Sequence, residues 1–444
     1  MERLPDDVLS HIFESLESTG WTLTFVVPHV CRRWKQLCLE RVRVRHLDLV
    51  GIPMTTAGSM LRVVPPTLPD TKLVFERLFK FYSVGIHNCE HLISGSIDVS
   101  LAQHWVHLQE LNLGGCIKLT TLAGIEVCSK ISKLTLKDCT ALCDASNLAS
   151  LQSLKYIYLS GCSSLENFDF FSGFHNIEKI FLQKCSALAS LPDMRNCSQL
   201  QDIRCISCKH LANIRELGSC NRLQHADFTG CKALENFAPL SLCPLLCWLI
   251  AGNCGGGGPQ WSFEAHSKLI DLCLLGCATL GNIQFLTFDG SNCEASLTLT
   301  SISIAYCICL RDLTPLGKCP NLKCLDMAHC CSVVDVSFLS NCRKLLALRM
   351  EGCIEVKDFR PVAHCFELRL ASLAGTLIND LSVLGHLPSL RKLDITCCEH
   401  LSNMALLVQF TGLTWLGASW SPSREVVHVL RYLSTQRRVI VEIS

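Results

Sequence analysis

Charge of either sign is scarce in this 444-residue chain. Asp, Glu, Lys and Arg make up 18% of it and nearly cancel, leaving a formal net charge of +1. So balanced a chain has no basic footprint for nucleic acid and no polybasic tether for a membrane surface, and neither partner is expected. Uninterrupted apolar runs of about 18 residues, the length a membrane-spanning helix needs, are also missing. The first residues, "MERLPDDVLSHIF", carry acids where a secretory leader needs a basic stretch and then an apolar run. These absences point to the cytoplasm, or the nucleus, where thiols stay reduced and structural disulfides are rare.

Apolar residues, in contrast, are plentiful. They make up 49% of the chain and include 31 cysteines. So much hydrophobicity can be hidden only if nearly every segment has a buried face. The cysteines follow a pattern: "LNLGGC" ends at Cys116, "LTLKDC" at Cys139 and "YIYLSGC" at Cys162. Aligned on leucine, the frame is L-x-x-L-x-L-x-x-C. It begins at Leu108, Ile131, Leu154, Ile177, Leu200, Leu223, Leu246 and Leu269, each 23 residues after the last. The next step, to Leu299, is 30; the frame then resumes at Leu322, Leu345, Leu368, Leu390 and Leu413. Weaker copies begin at Val44 and Phe81.

Alternate side chains of a strand face one side, so the frame's fourth and sixth positions point into a core. The rest of each turn, such as "KLTTLAGIEVCSKI", has apolar residues three apart, which suits 3₁₀ or short extended turns. One turn cannot bury its leucines alone, so neighbours must stack into a parallel sheet. A period in the twenties with this spacing resembles the leucine-rich repeat, in its short, internalin-like class. The resemblance implies an α/β fold: a leucine-rich-repeat solenoid with a concave parallel β-sheet.

Thirteen cysteines hold the ninth repeat position, from Cys89 to Cys398, and seven more lie three residues before a repeat's first leucine. Thr376 and Ser421 replace the first column; Trp105, Leu151, Phe174 and Phe410 replace the second. No metal site accepts such exchanges, so no metal or cofactor is expected. The ninth position reads as a small side chain with a weak donor that satisfies backbone where the strand turns. The second column reads as buried apolar volume.

Before the repeats, Pro5 and two acids open a helix whose stripe is Val8, Leu9, Ile12, Phe13 and Leu16; a second helix carries Val30, Cys31, Trp34 and Leu37. By themselves these helices could simply cap the first repeat. The pattern L-P-x-[ED]…I-F-x-x-L…V-C-x-x-W, with Leu4, Pro5, Ile12, Phe13, Leu16, Val30, Cys31 and Trp34 in place, resembles the F-box. That resemblance implies a small all-α F-box module that docks a Skp-type adaptor and, through it, a cullin ligase.

The expected organisation is an F-box-like module over residues 1–46, an atypical first repeat and joint over 47–80, the solenoid over 81–420 and a cap over 421–444. "CGGGGPQW", from Cys254 to Trp261, and the surplus residues before Leu299 read as outer loops. "SPSREVVHVLRYL" reads as a capped helix and "RVIVEI" as a strand, which together would close the sheet's last edge.

In each strand the third, fifth and seventh positions face away from the core. They supply Lys133, Thr135 and Lys137, then Tyr156 and Tyr158, then Lys179 and Phe181, and further on Trp248, Ile250 and Leu275. Aromatics rimmed by lysines suit an acidic or phosphorylated segment of a protein target. No nucleophile elbow or paired carboxylates stand outside the repeat, so no enzyme is expected. Two readings remain: a target receptor delivered to a ubiquitin ligase by its F-box, or a ubiquitin-independent binding scaffold whose N-terminal helices only cap the solenoid.

Overall fold

A computed structural model describes residues 46–48, 83–85, 108–255, 268–286, 298–385, 387–419 and 424–443. The chain divides into two compact units, Met1–Cys208 and Lys209–Ser444.

In the first unit, seven short strands pair in parallel in chain order: β1 (His46–Asp48), β2 (Ser83–Gly85), β3 (Glu110–Asn112), β4 (Lys133–Thr135), β5 (Tyr156–Tyr158), β6 (Lys179–Phe181) and β7 (Asp202–Arg204). The register puts the fourth repeat positions opposite one another: Leu47, Val84, Leu111, Leu134, Ile157, Ile180 and Ile203. Strand β1 falls at the expected junction of module and first repeat. The helices expected before it, with Leu4, Pro5, Ile12, Phe13, Leu16, Val30 and Trp34, lie outside the described residues.

The second unit continues the rule with ten parallel strands: β8 (His225–Asp227), β9 (Trp248–Ile250), β10 (Asp271–Cys273), β11 (Ser301–Ser303), β12 (Cys324–Asp326), β13 (Ala347–Arg349), β14 (Leu370–Ser372), β15 (Lys392–Ile395), β16 (Trp415–Ala418) and β17 (Ile440–Ile443). The 30-residue step does not disturb the ladder, because Leu272 still pairs with Ile302. The surplus, residues 287–297, and the glycine run lie outside the described residues.

Strands last only three or four residues because the eighth position turns the chain. It takes positive φ at Asp138, Lys184, Ser207, Asn253, Tyr306, His329 and Cys397, and at glycines between them. At Gly161 φ is +80°, and an added Cβ would crowd the Asp138 carboxylate, so glycine is the residue that fits without a shift. The outer side returns through 3₁₀ turns such as Ser146–Ser150, Thr314–Lys318 and Arg360–His364. A column unread in the sequence starts them. Asp144, Asn167, Asn213, Asn236, Asn282, Asp312, Asp335, Asp358 and Asp380 each accept the backbone N–H two residues on.

The ninth-position thiols act as the pattern implied. Cys139 donates to the sixth-position carbonyl one turn back, Leu113, at 3.1 Å; so do Cys208 to Leu182 at 2.8 Å, Cys277 to Ala251 at 3.0 Å and Cys353 to Met327 at 3.1 Å. Cys307 makes the same bond to Leu274 across the long step, at 3.2 Å. Thr376 uses its hydroxyl instead, donating to Leu373 within its own turn at 2.7 Å. For the second column, apolar volume is half the account. Cys197, Cys243 and Cys365 also reach carbonyls of the preceding 3₁₀ turn, Phe171, Leu217 and Leu339, at 3.3–3.5 Å.

Burial pushes the Cys139 and Cys353 thiols up to about 12. Among the described cysteines, Cys143, Cys309, Cys324 and Cys397 are exposed. In the native protein iodoacetamide is therefore expected to label those four within minutes, and the ladder thiols only after unfolding. Peptide mass spectrometry reads the sites. Fast native labelling of Cys139 or Cys353 would overturn this account of the ladder.

The C-terminal helix forms as α1 (Arg424–Gln436) and buries Val429, Leu430 and Leu433. It packs against the turn Met404–Gln409. The last strand, however, does not close the edge. It extends the sheet by pairing with β16, and leaves Ile440 and Ile443 exposed.

Candidate protein-binding face

The residues read as target-binding fall in both units. Lys133, Lys137, Tyr156, Tyr158, Lys179 and Phe181 belong to the first, Trp248, Ile250 and Leu275 to the second. Along β4, β5 and β6 the pattern is half-buried, buried, half-buried, so third and fifth positions share the open face of the sheet.

On that face the fifth positions form a stack. Tyr158 and Phe181 lie ring on ring, with centroids 4.5 Å apart and planes 3° from parallel. On the next strand the Arg204 guanidinium sits 5.3 Å from the Phe181 centroid. Asp202, nearly buried, holds that guanidinium through two hydrogen bonds, from Nε at 3.1 Å and Nη2 at 2.9 Å. The sequence reading missed this pair, although both residues occupy the positions it had assigned to the face. Cation and ring attract, and the carboxylate orients the cation, so the stack forms from the chain's own residues.

Third positions form a polar row beside it. The Tyr156 hydroxyl donates to Glu178 Oε2 at 3.0 Å, and Lys155 Nζ donates to Glu178 Oε1 at 2.9 Å. The Lys155 hydrogen bond is the largest influence holding the Glu178 carboxyl below its usual range. Tyr156 is thus a tethered member of the wall, where the sequence suggested an exposed anchor. Lys133 pairs with Glu110 at 3.5 Å. Lys137 and Lys184 stand exposed at the strand ends, and with Lys179 they make no ion pair among the described residues.

In the second unit, Trp248 and Ile250 are each 38% exposed, and Leu275 is half-buried. Trp248 leans on His225, centroids 4.2 Å apart and tilted 53°. Small or polar side chains follow on the next strands, Asp271 and Cys273, then Ser301 and Ser303.

Among the described residues no group of three His, Cys, Asp or Glu side chains is placed to hold a metal, and no helix is long and apolar enough to cross a membrane. No protein-family model and no curated protein matches the chain. Solved structures do. The functional domain of InlJ from Listeria monocytogenes, described as including a cysteine ladder, is similar at 18% identity and a TM-score of 0.55, over 78% of this chain and 69% of that one. A leucine-rich-repeat protein of Leptospira interrogans is similar at 15% identity and a TM-score of 0.54, over 90% of this chain and 95% of that one. At such identities the likeness speaks for the fold, and with the strands, ladder and turns above it makes this a leucine-rich-repeat solenoid.

Proposed function

We propose that the chain is the substrate-recognition subunit of a Skp-cullin-F-box ubiquitin ligase. Its N-terminal module docks the adaptor through Leu4, Pro5, Ile12, Phe13, Leu16, Val30 and Trp34, and its repeat surface holds the protein to be modified. The reading is carried by one pairing: the F-box-like residue pattern placed directly before repeats with a preorganised aromatic face. Binding, and no chemistry of its own, is the chain's part in this scheme. Its place is the cytoplasm or nucleus, where adaptor and cullin work.

The observation that favours the second reading, a scaffold without ubiquitin, is that among the described residues the contacts of the aromatic face all lie within the repeats. Affinity purification with mass spectrometry separates the two. The intact chain is expected to bring down adaptor and cullin peptides, and Leu4→Ala with Pro5→Ala to lose them while the repeats stay folded. Adaptor retained after deletion of residues 1–45 would leave only the scaffold.

A further inference from the structure

The stack on the open face stops one rung short. Parallel strands lie about 4.8 Å apart, close to the thickness of one ring contact, so each strand can add one layer. Arg204, Phe181 and Tyr158 are three successive layers, paired in register on β7, β6 and β5. The next residue in register is Thr135 on β4. Its short side chain cannot continue the stack. Among the described residues the only ring contact of Tyr158 is with Phe181, so its second face, toward Thr135, has no ring or cation against it. One strand further, Asn112 turns its side-chain oxygen back to the Gly114 N–H at 2.9 Å. Tyr158 and Asn112 are thus two strand spacings, about 9.6 Å, apart with a half-buried floor between them. Two spacings span the width of one further ring layer above Thr135.

Charge narrows what the group belongs to. The acids Glu110, Glu178 and Asp202 are committed to Lys133, Lys155 and Arg204. Among the described residues Lys137 and Lys184 have no such partner, and Lys179 adds its charge beside Glu178, which Lys155 already holds. Lys137 follows the floor residue by two positions, just beyond the end of β4. A guanidinium entering the gap would meet this surplus of like charge; an aromatic ring flanked by carboxylates would be attracted to it.

We infer that the gap over Thr135 is a ring-binding slot, and that it takes an aromatic side chain from an acidic segment of the bound protein. The inference rests on the proposed use of this face for target binding and names the chemistry it reads. Its decisive variant fills the slot from within: Thr135→Phe supplies the missing layer.

The probes are fluorescein-labelled peptides Asp-Glu-Trp-Glu-Asp, Asp-Glu-Leu-Glu-Asp and Lys-Lys-Trp-Lys-Lys, titrated into the full chain at low salt and followed by anisotropy. The acidic tryptophan peptide is expected to bind at least about tenfold tighter than either other peptide, and to weaken by about tenfold with Thr135→Phe. Lys137→Ala should weaken it less and flatten its salt dependence. Thermal unfolding checks that Thr135→Phe is folded; if it is not, Tyr158→Leu removes the same ring face and keeps the bulk. Equal binding of the leucine peptide, unchanged binding to both variants, or no binding below about 1 mM would each overturn the slot. Target capture that survives Thr135→Phe but not serine at Tyr158 and Phe181 would remove the slot and leave the wider face standing.

Discussion

Phe171→Ala is expected to lower the stability of the first unit by about 3–5 kcal/mol, the range for truncating a fully buried aromatic. Phe171 has no exposed surface and sits among three other rings, 4.9 Å from Phe170, 5.5 Å from Phe174 and 6.1 Å from Phe168. Phe174 stands where other repeats have cysteine, so this turn fills with rings what its neighbours fill with smaller groups. The cavity cannot simply collapse. The Phe171 carbonyl accepts the Phe174 N–H at 3.0 Å and the Cys197 thiol at 3.5 Å, which ties its backbone to its own turn and the next. Urea unfolding followed by circular dichroism measures the loss. Phe366→Ala, at a ring 51% exposed, serves as the control and should change stability by no more than about 0.5 kcal/mol. A loss below about 1 kcal/mol for Phe171→Ala would mean that the ring cluster is not the core of that turn.

Serine at Tyr156, Tyr158 and Phe181 together is expected to weaken target capture by about 100-fold or more, the scale of a lost aromatic hot spot. The three are half-buried on the open face, so the fold should bear the change far better than a core truncation. Glu178 keeps Lys155 when the Tyr156 hydroxyl goes, and Asp202 keeps Arg204 when the Phe181 ring goes. No charge is left stranded. Adaptor binding, assigned to residues 1–46, should not move. Quantitative pull-down of the target identified by affinity purification reads both. Capture that survives this triple change and Trp248→Ala alike would place recognition elsewhere, first on the loop around residues 286–298.

Much of this was legible because a repeat states its rules many times over. The inward residues at the fourth and sixth positions, the strand register and the ninth-position thiol bonds all follow from a 23-residue step and strand alternation. Even the weak copies at Leu47 and Val84 fall in register. The Asp/Asn column that starts the outer turns has the same step, but a polar residue in a loop looks like any other solvated one until its N–H partner is placed. Arg204 over Phe181 was invisible for another reason. The two are neighbours only across strands, and the ion pair to Asp202 that aims the cation depends on side-chain angles. The free edge at β17 was misread because an amphipathic helix beside a strand suggests closure. Periodicity gives the buried side of each, not which one ends the sheet.

The thiol ladder ties each turn to the previous one. Cys330 reaches Ile304 and Cys353 reaches Met327, each one repeat back. Folding in each unit therefore behaves as a row of nearest-neighbour links, in which an interior turn must sever two interfaces to open and a terminal turn only one. Damage then has an address. The same lesion is costliest mid-row and cheapest at an end, so Tyr158 and Phe181, on β5 and β6 with paired strands to either side, are anchored twice, while β17 is free to fray from its row.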